Sequence, residues 1–131
     1  MYSKITRAIK ISVEPEFLPQ ESNPAEDKYL WAYYIRIENQ GAETVQLRNR
    51  HWRITDSKGQ TQEVRGAGVV GEEPVLAPGG VFEYNSFTPL NTPSGIMLGS
   101  YEMERLESGE RFEVEVPAFS LDSPYQKERA N

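Results

Sequence analysis

The residues in this chain best suited to chemistry by type and spacing are the glycines of Gly66-Ala67-Gly68-Val69-Val70-Gly71. Their spacing matches the fingerprint of dinucleotide-binding loops, in which bare backbone approaches a pyrophosphate held on a helix N-terminus. Glu72-Glu73-Pro74 and Pro78-Gly79-Gly80 follow, so no helix can run on, and two carboxylates stand where phosphate would bind. A second set centres on His51, the only histidine, with Asp56 five residues on and no cysteine anywhere. Zinc and cobalt need several N or S ligands, so one histidine cannot build such a site. Glu72, Glu73 and Glu83 are the candidates for a magnesium site of carboxylates and water, against the alternative of a solvated acidic face. His51 as a base would need a serine, and Ser57, Ser86 and Ser100 compete with no strained elbow to favour one.

These groups need a scaffold, and 131 residues suffice for one domain with its own core. The lack of cysteine removes disulfides and fits a reducing compartment. Met1-Tyr2-Ser3-Lys4-Ile5-Thr6-Arg7 has no apolar run behind it and no segment has the length of a membrane span, so the expected location is the cytoplasm, away from membranes. A net charge of −6 opposes binding to a phosphate backbone, so nucleic acid is not an expected partner. Arg48, Arg50, Arg53 and Arg65 gather locally, and cross-strand pairing with glutamates accounts for them better than an anion site.

The positioning elements are strands. Ile9, Ile11 and Val13 alternate with polar residues over Arg7–Glu14, and Pro15 is expected to end that strand. Over Lys28–Glu38, Tyr29, Trp31, Tyr33, Ile35 and Ile37 share one face, as in a central strand. Thr44–Thr55 carries Val45 and Leu47 on odd positions but Trp52 and Ile54 on even ones, which predicts a bulge near Arg48 to His51. Asp56-Ser57-Lys58-Gly59 predicts a hairpin turn into Gln60–Val64. The glycine-rich stretch is expected to be a loop crossing between sheets. Strands at Val81–Phe87, Ile96–Leu106 and Arg111–Pro117 follow, the last extending toward Leu121. About seven strands and no long helical period predict an all-β, antiparallel sandwich of the immunoglobulin or fibronectin type III kind, with an eight-stranded barrel as the other solution. It spans residues 1–121, and 122–131 form a polar, mobile tail with little to bury.

With the glycine-rich stretch set beside its flanks, the chain resembles the ApaG family. The resemblance rests on Arg50-His51-Trp52 with Ile54-Thr55-Asp56, on Arg65-Gly66 through Gly68-Val69-Val70-Gly71-Glu72 and Pro74, on Phe82-Glu83-Tyr84, and on Thr92-Pro93, Gly95, Met97, Gly99, Tyr101 and Met103. Ala67 replaces a usual proline, and Asn85-Ser86-Phe87 a usual Thr-Ser-Gly. The resemblance implies a fibronectin type III-like sandwich from a small cytoplasmic bacterial protein, and a label of cobalt and magnesium efflux or resistance that names a phenotype, not a chemistry. Related domains sit in larger eukaryotic proteins, where the implied job is protein binding.

The function expected is therefore a noncatalytic module for an unidentified protein partner, with no cofactor, acting as a monomer or weak homodimer. Its surface is expected at Arg65, Gly66, Gly68, Gly71, Glu72, His51 and Trp52, with Trp52, Tyr34 and Phe87 the aromatics near a binding surface. Divalent-cation binding is the alternative, and a small hydrolase the third reading.

Overall fold

The protein is described by a computed structural model covering residues 1–129. Among the described residues nine strands are present: β1 Tyr2–Thr6, β2 Ile9–Phe17, β3 Tyr29–Asn39, β4 Val45–Asp56, β5 Thr61–Ala67, β6 Val75–Leu76, β7 Val81–Leu90, β8 Gly95–Arg105 and β9 Arg111–Leu121. They form two antiparallel sheets, one ordered β1-β2-β3-β7 and the other β5-β4-β8-β9, with β6 also on β4. The expected sandwich is what forms, with β1 and β6 added to the seven strands expected.

The inner faces follow the alternation in the sequence. Tyr29, Trp31, Tyr33, Ile35 and Ile37 are all buried on β3, opposite Met97, Tyr101 and Met103 of β8. Burying a large apolar side chain contributes about 1.5–3 kcal/mol, so these rows and their neighbours on β2, β4 and β9 hold the sheets together. The bulge falls at Arg48: Leu47 pairs with Met103 and Asn49 with Glu102, so the extra residue moves the inward phase from Leu47 to Trp52 and Ile54. A second bulge, unexpected, lies between Met97 and Gly99 against β9, and lets Val116 and Phe119 both point inward.

Several boundaries differ from expectation: β7 runs on to Leu90 rather than ending at Phe87, and the two ends of β2 both move. Arg7 and Ala8 do not belong to the following strand; both have positive φ, 49° and 68°, and form the turn that folds β1 onto β2. Glycine or asparagine normally occupies such a turn, so residue type does not betray it. Nor does Pro15 end β2, which runs on to Phe17 with Pro15 opposite Tyr33. The Gln40 N–H donates to the Ala8 carbonyl, so even-numbered β2 residues bond β3 and odd-numbered ones turn toward β1. Because β1 begins at Tyr2, opposite Val13, no strand among the described residues lies where the missing Pro15 N–H would point.

One lateral corner of the sandwich is stitched by side chains. Lys4 pairs with Glu115 and Arg7 with Glu110, while the Glu115 and Ser120 N–H groups donate to Thr6 Oγ1 and Tyr2 OH, each at 3.4 Å. Beyond β9, Ser123 is buried and donates to the Pro93 carbonyl at 2.6 Å, and the Tyr125 ring lies 6.0 Å from Tyr29 and 6.2 Å from Phe17. The segment expected to bury little thus covers the end of the core at these residues, within a 3₁₀ turn over Pro124–Arg129. Residues 130–131 of the expected tail lie outside the described residues.

Candidate functional site: a polar groove on the five-stranded sheet

The glycine-rich stretch is built as a strand followed by a hairpin. Asp56 Oδ1 accepts the Lys58 and Gln60 N–H groups at 2.9 and 3.0 Å, and Gly59 takes φ 84°, which turns β4 into β5. Pairing then continues past Val64, where the loop was expected to begin, setting Arg65 opposite His51, Gly66 opposite Arg50 and Ala67 opposite Asn49. The Gly68 N–H donates to the Arg48 carbonyl at 2.8 Å. Val69 and Glu72 exchange N–H···O bonds of 2.8 and 2.9 Å around Val70-Gly71, and the Leu47 N–H reaches the Pro74 carbonyl at 3.0 Å. The stretch therefore stays on the edge of β4, and the crossing to the other sheet comes later, over Ala77–Gly80. Gly68 is required here: at φ +62°, a Cβ would stand 2.2 Å from the Glu72 carbonyl oxygen. No helix follows, so no set of helical N–H groups forms to hold a pyrophosphate.

On the outer face of this sheet, β4, β5, β8 and β9 line an open groove of about 480 Å³. His51, Arg65, Asn49, Ser100, Glu102 and Glu113 line it, and Gly66 lies along its side. The charges there are mutually engaged. His51 Nε2 lies 2.7 Å from Glu63 Oε1, which Arg65 approaches at 3.5 Å. Ser100 Oγ donates to Glu113 at 3.2 Å, Asn49 Nδ2 to Glu102 at 2.6 Å, and Arg111 also reaches Glu102 at 3.0 Å. The hydrogen bond from His51 is the main cause holding the Glu63 carboxyl below its ordinary pKa; Arg65 assists and desolvation opposes.

The expected site residues divide into three groups. His51, Arg65 and Gly66 meet at the groove. Gly68, Gly71 and Glu72 sit in the adjoining hairpin, with Gly71 at φ 81° and Glu72 exposed at its tip. Trp52 does not belong to a surface: it is 3% exposed, with ring centroids 5.5 Å from Tyr33 and 6.1 Å from Tyr101. The Arg48 bulge turns it inward, and Gly99 makes room, since a Cβ there would stand 2.5 Å from Trp52 Cε3. Tyr34 and Phe87 are exposed as expected, at 45% and 57%, but on the four-stranded sheet.

The arginines do not converge on an anion. Arg50 turns inward and donates from Nη1 to the Ala67 and Gly68 carbonyls, both at 3.0 Å. Arg48 binds Glu104 at 2.8 Å and Glu73 at 3.1 Å. Nor do the carboxylates suggested for magnesium come together: Glu73 is taken by Arg48, and Glu83 lies on the other sheet, 3.6 Å from Arg36. Among the described residues no three His, Cys, Asp or Glu form a metal-binding group. Ser100 lies opposite His51 across the strands, yet it bonds Glu113, and no hydrogen bond joins it to the histidine among the described residues. Ser100 was one of three serines considered beside His51, while Asn49, Glu102, Glu113 and Glu63 were not singled out from sequence. Their outward parity was visible, but which strands lie side by side was not.

The fold and this groove define a class: an antiparallel β-sandwich with a glycine-rich hairpin along one sheet edge and a polar outer face beside it. The chain belongs to the ApaG domain family, whose model matches residues 19–105. Protein ApaG of Rhodospirillum centenum is 62% identical over 131 residues, covering all of both chains. Protein ApaG of Parvibaculum lavamentivorans is 61% identical over 127 residues, covering 97% of each. Among solved structures, the putative ApaA protein from Bordetella pertussis superposes with TM-score 0.85 at 46% identity, over 88% of this chain and 94% of that one. No helix among the described residues is long and apolar enough to cross a membrane.

Proposed function

We propose that this chain is a noncatalytic binding module whose groove on the five-stranded sheet, with the hairpin tip at Val70–Gly71, receives a segment of a protein partner. One observation carries the reading. His51, Arg65, Asn49 and Ser100 are fixed by cross-strand pairing and by shared carboxylates, in a groove open to solvent. A set so arranged presents hydrogen-bonding groups of both charge signs at fixed spacing, but leaves no base poised against a nucleophile. The ligand that suits it is a polar segment carrying both charge signs, because each charged group in the groove already has a counterpart to be exchanged.

The test is affinity capture from a lysate of the source organism with the immobilised chain, identification of what is retained, and titration of the purified partner. Arg65→Glu should weaken that partner at least tenfold while leaving the thermal unfolding curve in place. A folded Arg65→Glu chain that binds the same partner with unchanged affinity would remove the groove from the account.

A further inference from the structure

The two lateral edges of the four-stranded sheet are treated differently. At β1 the edge is closed against β9 by the Lys4 and Arg7 ion pairs and by the Thr6 and Tyr2 hydroxyls. Among the described residues no ion pair joins β7 to the other sheet. The strand pairs with β3 from Val81 to Leu90 without a register shift, and no strand among the described residues pairs with its other side. Natural edges are usually blunted by lysine, proline, a bulge or a covering element, and a long regular edge with exposed apolar side chains is a site of association.

The backbone groups on offer can be identified. The Asn39 N–H donates to the Gly80 carbonyl at 3.0 Å, which starts the ladder between β3 and β7. Backbone groups alternate sides along a strand, so the even-numbered residues from Phe82 to Thr88 turn theirs to β3, and Val81, Glu83, Asn85 and Phe87 turn theirs outward. Pro89 continues the outward series, and its lack of an N–H bounds the usable stretch. The same four residues are exposed, Val81 at 40% and Phe87 at 57%.

This stretch is complementary to itself. In an antiparallel pairing about a two-fold axis midway between Glu83 and Asn85, Val81 stands opposite the partner subunit's Phe87, and Glu83 opposite the partner subunit's Asn85. A β-branched residue then meets an aromatic ring, a favourable cross-strand pair, and a carboxylate meets an uncharged carboxamide, so no like charges are opposed. Each pair is of the outward kind and exchanges both hydrogen bonds. The neighbouring registers are worse. A slip one way sets Glu83 against the partner subunit's Glu83, and a slip the other way sets Val81 against the partner subunit's Pro89, which has no donor, and Glu83 against the partner subunit's Phe87.

We infer that the occupant of the β7 edge is a second copy of this chain, joined antiparallel through Val81–Phe87 so that the two four-stranded sheets become one continuous sheet. This symmetric contact is isologous and closes at two subunits. It leaves the groove on the five-stranded sheet uncovered, so its success or failure is independent of the partner-binding reading.

Sedimentation equilibrium of the full chain tests it, up to about 1 mM, the weak end of specific association. A monomer–dimer equilibrium is expected, with Asn85→Pro and Phe87→Lys each raising the dissociation constant at least tenfold and Arg65→Glu leaving it unchanged. Asn85→Pro removes an outward donor only, as Pro89 does naturally, and circular dichroism confirms that each variant is folded. The chain has no cysteine, so register is read by mixing Val81→Cys with Phe87→Cys and adding a short bismaleimide. The mixture should crosslink more than either variant alone. A monomer at every concentration, dimers of unchanged strength in both folded β7 variants, or crosslinking no better in the mixture would each overturn the proposal.

Discussion

The hydroxyls of Tyr84 on β7 and Tyr101 on β8 meet at 2.5 Å across the gap between the two sheets. Burial raises both pKa values, that of Tyr101 well above its ordinary position, and the hydrogen bond between them pushes the Tyr101 proton loss higher while easing that of Tyr84. A group whose pKa is raised in the folded state contributes stability that is complete below its unfolded value and is lost as pH climbs beyond it. For tyrosine that decline starts near pH 10. Removing both hydroxyls with Tyr84→Phe and Tyr101→Phe leaves neither unpaired, and the midpoint of alkaline unfolding, followed by circular dichroism, should move to higher pH.

Two glycines of the hairpin separate conformational strain from collision. Gly71 has φ 81° with open space around its Cβ position, so Gly71→Ala should cost about 1–2 kcal/mol for the left-handed backbone alone. Gly68 has φ 62° and the Glu72 carbonyl in the way, so Gly68→Ala should cost more than Gly71→Ala. Urea denaturation of the two variants reads the ranking directly.

The Glu63 carboxyl is held below its ordinary pKa chiefly by His51. A depressed carboxyl contributes stability present above its unfolded pKa and lost as pH falls through the folded value. In a carbon-detected NMR titration, His51→Ala should move the Glu63 midpoint upward toward that of an ordinary glutamate. Because Glu63 lies at the exposed rim of β5, the effect belongs to local titration far more than to global stability.

Glu73 is engaged by Arg48, and Glu83 by Arg36 on the other sheet. Isothermal titration with Mg²⁺ or Co²⁺ at millimolar concentration should therefore give only heat of dilution. Glu73→Gln should instead leave the urea midpoint nearly in place, since a partly exposed ion pair contributes little.

Where side chains alternate cleanly, the sequence carried the fold. The odd-numbered residues of Tyr29–Ile37 are all buried, and the phase slip between Leu47 and Trp52 marked the bulge later found at Arg48. Legibility failed where residue type and backbone part company. Arg7 and Ala8 occupy a turn that glycine would advertise, and Pro15 is harmless only because β1 stops short, a fact of strand pairing. The same limit governs the site. His51, Arg65 and Gly66 were found from composition and resemblance, whereas Glu102 and Glu113 arrive from the distant strands β8 and β9. Trp52 was misplaced because its inward turn depends on the space that Gly99 leaves across the sheet.

The seam between β1 and β9 joins segments more than a hundred residues apart, with Tyr2 reaching Ser120 and Lys4 reaching Glu115. During synthesis β1 and β2 emerge long before β9, so Ile9, Ile11 and Val13 must wait, uncovered on that flank, until β9 has left the ribosome. A nascent chain arrested ahead of Arg111 should thus be a substrate for holdase chaperones.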